Sequence, residues 1–172
     1  MKSDSFNSDR LFGVAAFLIS MGTFFVYIYE ARLLQKQQYA SALPYLEMWN
    51  SGGPTHYRLI LVNNGVGPAF VRDIRVHHRG KVYKMDHVAF YNKVRTPADT
   101  SNFTTTNISP GRVIPAGREI ELLIVSGSPE KVQKFRRLFD GEDAEIEITY
   151  ASVYEEQWKL RGLKNPPRKL DD

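Results

Sequence analysis

The chain has 172 residues, with 23 Lys and Arg against 19 Asp and Glu, a formal net charge of +4, and no cysteine. The absence of cysteine excludes a disulfide scaffold and thiolate chemistry, catalytic or metal-binding, and leaves the compartment open. A small positive balance speaks to solubility and association rather than to fold.

Residues 1–10 read as an N-terminal tail. Leu11 to Tyr29, LFGVAAFLISMGTFFVYIY, then forms one apolar run without charge or proline. About 20 apolar residues at ~1.5 Å each cross the hydrocarbon of a bilayer, so 11–29 is expected to be a transmembrane helix. A buried soluble helix would show a polar stripe, and this run is apolar all round. A cleaved signal peptide needs a shorter apolar core and a small-residue site just after it. The only such site, Ala40-Ser41-Ala42, lies beyond Glu30, Arg32 and Lys36. Tyr27 and Tyr29 suit an interfacial aromatic belt. Lys2 and Arg10 before the helix balance Arg32 and Lys36 after it. Arg10 at one end and Glu30 at the other lean the N-terminus to the cytoplasm and the rest of the chain to the outside.

Residues 30–43 contain strong helix formers and no breaker before Pro44, which predicts a helical stalk. Leu33, Leu34 and Tyr39, with the small pair Ala16 and Ser20, leave a homo-oligomer through helix and stalk open beside a monomeric anchor.

From 44 to 162 the pattern changes to short runs rich in Val, Ile, Tyr and Phe, broken by Gly, Pro and Asn. This predicts an antiparallel β-sandwich of immunoglobulin-like type, or a small barrel, with one helical insertion. Strands are expected at Tyr45–Asn50, His56–Asn63, Ala69–His78, Val82–Met85, Phe103–Ile108, Arg118–Val125, Glu145–Tyr150 and Gln157–Leu160. A short helix near Asp86–Lys93 is an option, and Arg95–Asn102 reads as loop. The helical insertion opens at Ser128 as N-cap with Pro129 first, presents Val132, Phe135, Leu138 and Phe139 on one face, and stops at Gly141. Residues 163–172 read as a flexible tail.

Asn63, Asn64, Gly65, Gly67 and Pro68 form a tight strand connection, since Asn and Gly tolerate positive φ and Pro fixes its own. No Gly-Lys-Ser/Thr follows, so this is a structural turn and not a phosphate loop. His77 and His78 alternate to opposite faces of a strand and cannot share a metal there. No nucleophile or metalloprotease motif is present, so no catalytic residue, metal or cofactor is expected. Arg72, Arg75, Arg79, Lys81, Lys84, Lys93 and Arg95 make one region basic. Asp140, Glu142, Asp143, Glu145, Glu147, Glu155 and Glu156 make another acidic. Either the two neutralise each other as neighbours, or the basic one meets anionic lipid or an acidic partner. Nucleic-acid binding lacks a module signature. Tyr150, Tyr154 and Trp158 pack a hairpin or supply contacts.

The apolar helix, the linker QKQQYASALPYLE, the segment NNGVGPAFVRDI and the terminal ITYASVYEEQW together resemble an uncharacterised family of small bacterial single-pass membrane proteins with one anchor and a compact β domain. The resemblance implies a bacterial inner-membrane location and transfers no catalytic residue. A looser similarity is to bacterial defence effectors that join membrane helices to a β-barrel sensor. The expected function is a membrane-anchored, non-enzymatic binding or scaffolding module for a protein partner. Its candidate contacts are Arg72, Arg75, Arg79, Lys81, Tyr154 and Trp158. The alternative is a ligand-responsive membrane sensor or signalling effector with the β domain as sensor.

Overall fold

The computed structural model describes residues 4–95, 103–140 and 143–170. Two compact units follow each other, one ending at Ser41 and one starting at Ala42.

The first unit is a single helix, α1 (Asp4–Ser41). It takes in most of the expected N-terminal tail, the apolar run and the stalk, because nothing from Asp4 to Ser41 breaks a helix. Its 38 residues give a length of about 57 Å. From Arg10 to Ser41 it is long and apolar enough to cross a membrane, and that stretch has no buried share, as a lipid-facing helix requires. Ser20 and Thr23 donate their hydroxyls back to carbonyls one turn earlier, so neither presents an unpaired polar group.

The second unit is a two-sheet antiparallel sandwich, not a closed barrel. Its elements are β1 (Leu46–Gly53), β2 (His56–Asn63), β3 (Ala69–His78), β4 (Lys81–Tyr83), α2 (His87–Val94), β5 (Phe103–Thr105), β6 (Val113–Ile114), β7 (Glu119–Ser126), α3 (Pro129–Phe139), β8 (Ala144–Ala151), β9 (Gln157–Arg161) and β10 (Arg168–Lys169). One sheet runs β1-β2-β7-β5, the other β10-β9-β8-β3-β4, with β6 pairing β3. Alternating residues from both fill the core, among them Leu46, Tyr57, Leu61, Val76, Leu122, Ile148 and Tyr150. Each such side chain contributes about 1.5–3 kcal/mol on burial.

Where the structure departs from the sequence expectations, each departure has a local cause. The short helix offered as an option near Asp86–Lys93 is present as α2, so two helices interrupt the strands where the fold reading counted one. α2 forms because the Asp86 carboxylate accepts from the amides of Val88 and Ala89, both at 2.8 Å. In β7 the simple alternation fails. Leu59 pairs with Leu123 but Ile60 pairs with Glu121, so Leu122 is an extra residue, and Leu122 and Leu123 are both buried. The tail is not wholly free: Arg168 and Lys169 pair with Lys159 and Trp158 as β10, and Leu163 packs against the core. The insertion helix α3 is capped as its sequence requires, with Ser128 accepting from Lys131 at 3.4 Å. Its expected stop at Gly141, and most of the Arg95–Asn102 loop, lie outside the described residues.

His87 begins α2 and is almost fully buried, donating from Nε2 to the carbonyl of the extra residue Leu122 at 2.8 Å. Burial pushes its pKa below the ordinary value of 6.5. The Leu122 carbonyl and the Asp86 carboxylate oppose that shift and do not overcome it. The folded chain therefore binds fewer protons here than the unfolded chain. The resulting stability is full above about pH 6.5 and is lost as pH falls toward the depressed folded value. The thermal midpoint of the full chain is expected to drop between pH 7 and pH 5, and His87→Gln, which can still donate to Leu122, to flatten that slope. An equal slope in the variant would assign the acid sensitivity elsewhere.

Candidate functional site

Two regions of the β unit combine unusual geometry with clustered polar or charged side chains. The first is a latch at the sandwich end where the chain arrives from α1. Asn63 is fully buried at the end of β2. Its Oδ1 accepts from the amides of Tyr45 and Gly65, both at 3.1 Å. Its Nδ2 donates to the carbonyls of Gly67 and Ile114, at 2.9 and 3.0 Å. Backbone bonds complete the arrangement: Val66 and Gly67 donate to the Leu43 carbonyl, and Asn64 donates to that of Tyr45. The Leu46 amide donates to the buried Tyr150 hydroxyl at 3.2 Å, and burial pushes that phenol up to about 12. Thus the segment Ala42–Leu46, which follows α1 directly, is stitched into the sandwich on both sides.

The expected turn Asn63, Asn64, Gly65, Gly67 and Pro68 is this latch, but the glycines serve another purpose than the one expected. Neither Gly65 nor Gly67 has positive φ. A Cβ on Gly65 would lie 2.4 Å from the Leu43 carbonyl oxygen, and one on Gly67 2.0 Å from that of Ala42. They are glycines because another backbone passes against them.

The second region is the charged outer face of the β3–β8–β9 sheet and its continuation into the β3–β4 turn. Here the basic and acidic runs of the sequence become neighbours. Arg75 lies opposite Glu147, and His77 opposite Glu145. Glu147 is buried, accepting from His77 Nε2 at 3.1 Å with Lys159 Nζ at 3.4 Å. Arg161 pairs with Glu145 at 2.7 Å. Arg75 pairs with Asp73, and Arg72 with Glu155. Between the two charge runs of the sequence, Arg72–Glu155 is the one ion pair among the described residues, so mutual neutralisation holds only there; Glu145 and Glu147 take partners from outside the basic run.

The six candidate contact residues are therefore not one surface. Arg72 and Tyr154 lie at the latch end, and Arg72 and Arg75 already hold carboxylates. Trp158 is 8% exposed and stacks on Tyr150 with ring centroids 6.0 Å apart, so its ring belongs to the core. Arg79 and Lys81 lie at the opposite end, about 30 Å along β3 from Ala69. They are exposed, and neither joins an ion pair among the described residues. His78, beside them, donates from Nδ1 to the Asp143 carbonyl at 2.9 Å and stacks edge-on to Phe90. Sequence reading named Asn63 as a turn residue but not as the centre of the latch; an asparagine closing an apolar strand just before Asn-Gly was its one available signal.

Among the described residues, no three His, Asp or Glu side chains converge in a way that would hold a metal ion. The buried Tyr57 hydroxyl donates to Asp140 at 2.7 Å, and burial with that carboxylate raises its pKa far above the phenol range. It is locked as a structural donor. No family model and no curated protein matches the chain.

Proposed function

We propose that this chain is a membrane-anchored, non-enzymatic binding or scaffolding module, in which α1 crosses a bilayer and the β unit holds a protein partner near it. The observation that supports this reading is the latch. Only Ala42–Tyr45 separate α1 from β1, and that segment is fixed to the sandwich by Asn63 rather than left as a loose linker. Anchoring raises the effective concentration of the β unit toward any partner in or near the same membrane. A bacterial inner membrane, with the β unit outside the cytoplasm, is the setting this reading favours.

The same latch lends support to a second reading, a ligand-responsive sensor. A change in strand register at the Asn63 end would act directly on the segment that continues into α1. The two readings separate by crosslinking. A photoreactive residue placed in turn at Val66, Trp49 and Val82 samples the latch end, a sheet face and the far end, all exposed. Under the scaffold reading one of these positions crosslinks in cells to a protein other than this chain. Crosslinks to lipid alone, or none at any position, would remove it.

Orientation has a direct test in a chain without cysteine. Thr55→Cys and Ser109→Cys, both at exposed positions, are expected to react with an impermeant maleimide on intact cells. Labelling only after lysis would place the β unit in the cytoplasm and favour the sensor. Loss of α1 from the mature chain, read by intact mass, would make the apolar run a signal sequence.

A further inference from the structure

The far end of the sandwich has more to say about the partner, on the scaffold reading above. Arg79 and Gly80 form the two-residue turn between β3 and β4, with φ of 49° and 75°. A turn of this hand is most easily made by Asn-Gly or Asp-Gly, and arginine is a costly choice for the first position. Its side chain is exposed and joins no ion pair among the described residues. Two open grooves meet at this residue. One, of about 400 Å³, runs past His77, Lys81, Asp143, Glu145 and Arg161. The other, of about 220 Å³, has Tyr91, Val94 and Leu138 on its apolar side and Arg95 at its rim. His78 and Asp143 line both.

The charges in these grooves are not equivalent. Arg161 is neutralised by Glu145, and the Asp143 carbonyl is held by His78. Lys134 also lines the second groove and Asp143 lines both, and Arg79, Lys81 and Arg95 are each exposed, with Lys81 in the first groove, Arg95 in the second and Arg79 in both, so cations outnumber the one acid left. Cations spread over two adjoining grooves rather than gathered at one suit several separated negative charges, and the apolar side formed by Tyr91, Val94 and Leu138 suits one apolar side chain among them. We infer that the β3–β4 turn and the two grooves beside it bind an extended acidic peptide segment of the partner, with Arg79 and Lys81 as its principal electrostatic contacts.

The test uses the full chain in detergent micelles and a dye-labelled peptide of glutamates with one central leucine, read by fluorescence anisotropy. Binding is expected, weakening with added salt and falling at least tenfold in the double variant Arg79→Asn, Lys81→Ser. Asparagine suits the left-handed position better than arginine, so lost binding cannot be ascribed to a lost fold. Arg118→Ser removes an exposed cation at the latch end and is expected to bind as the wild type does. The inference is overturned by no binding, by an unaffected double variant, or by an equal loss in Arg118→Ser, which would mean diffuse attraction. It is also overturned if inorganic phosphate at the peptide's own concentration displaces it, which would mean a small-anion site. Failure here with crosslinks still formed from Val66 or Trp49 leaves the scaffold reading standing, whereas absence of all crosslinks removes that reading itself.

Discussion

Asn63→Leu is expected to destabilise the β unit by roughly 3–5 kcal/mol, the largest loss from any single polar side chain in it. Four backbone groups depend on this one amide: the carbonyls of Gly67 and Ile114 in buried bonds, and the amides of Tyr45 and Gly65 in part-buried ones. Each stranded group costs about 1–3 kcal/mol, and water entering a loosened latch recovers part of the sum. For a unit of this size the thermal midpoint should fall by about 15 °C, read by near-ultraviolet dichroism of the full chain in detergent. Asn63→Asp is a discriminating companion. It keeps the acceptor for Tyr45 and Gly65 but points a carboxylate at the Gly67 and Ile114 carbonyls. That repulsion raises the folded pKa of the new carboxyl, so stability should partly return as pH falls and the group protonates. A midpoint shift under 3 °C in Asn63→Leu would mean that the segment Ala42–Leu46 is held by packing and not by this side chain.

Gly67→Ala is expected to cost roughly 3 kcal/mol, at the upper end for overpacking, because the new methyl meets backbone and not a side chain that can swing away. The added carbon would stand 2.0 Å from the Ala42 carbonyl oxygen and 2.4 Å from its carbon. Gly65→Ala meets the Leu43 oxygen and the Tyr45 nitrogen, both at 2.4 Å, and should behave alike. Relief requires the Ala42–Tyr45 segment to back away from the turn, which breaks the bonds from Val66 and Gly67 to Leu43. Both variants should therefore expose this segment to protease, with cleavage between Ser41 and Leu46 as the readout. Gly13→Ala is the control: nothing lies within 4 Å of the added carbon, and in mid-helix the change should be neutral or stabilising. If Gly67→Ala melts with the wild type and resists protease equally, the latch is not close-packed.

These expectations bear on function through one element. A module that works by being held near a membrane needs its tether fixed, and a sensor needs its tether coupled. The latch serves either, so its loss should weaken partner crosslinking from the far end only if the orientation of the β unit matters to the partner. The acidic-peptide site at Arg79 lies at the other end of β3 and should keep its affinity in Gly67→Ala at temperatures where that variant is folded.

Local pattern was enough for much of the architecture. The uncharged run from Leu11 to Tyr29 can only be helical once its backbone is deprived of water, and no residue up to Ser41 interrupts it. Ser128-Pro129-Glu130 followed by apolar residues on one face wrote α3 into the chain, since capping and amphipathicity act within a few residues. Alternation located β2, β3, β7 and β8 to within a residue or two, because side chains on a strand must take turns facing the core. What the sequence left open was every relation that depends on register between distant strands. Whether Arg72 was free or neutralised depended on Glu155, 83 residues on, and the buried Glu147 of β8 found its partners in His77 of β3 and Lys159 of β9 only through strand pairing. The extra residue Leu122 shifted one strand by a single position, and periodicity read along the chain assumes no such shift. Trp158 could be read as hairpin packing or as a contact until the sheet stacked it on Tyr150, and Gly65 and Gly67 read as turn residues chosen for positive φ until a second backbone was seen to pass against them. Propensity, capping and hydrophobic period are properties of neighbours in sequence and can be read from it. Close approach, charge pairing and burial are properties of neighbours in space, and only the folded chain chooses those.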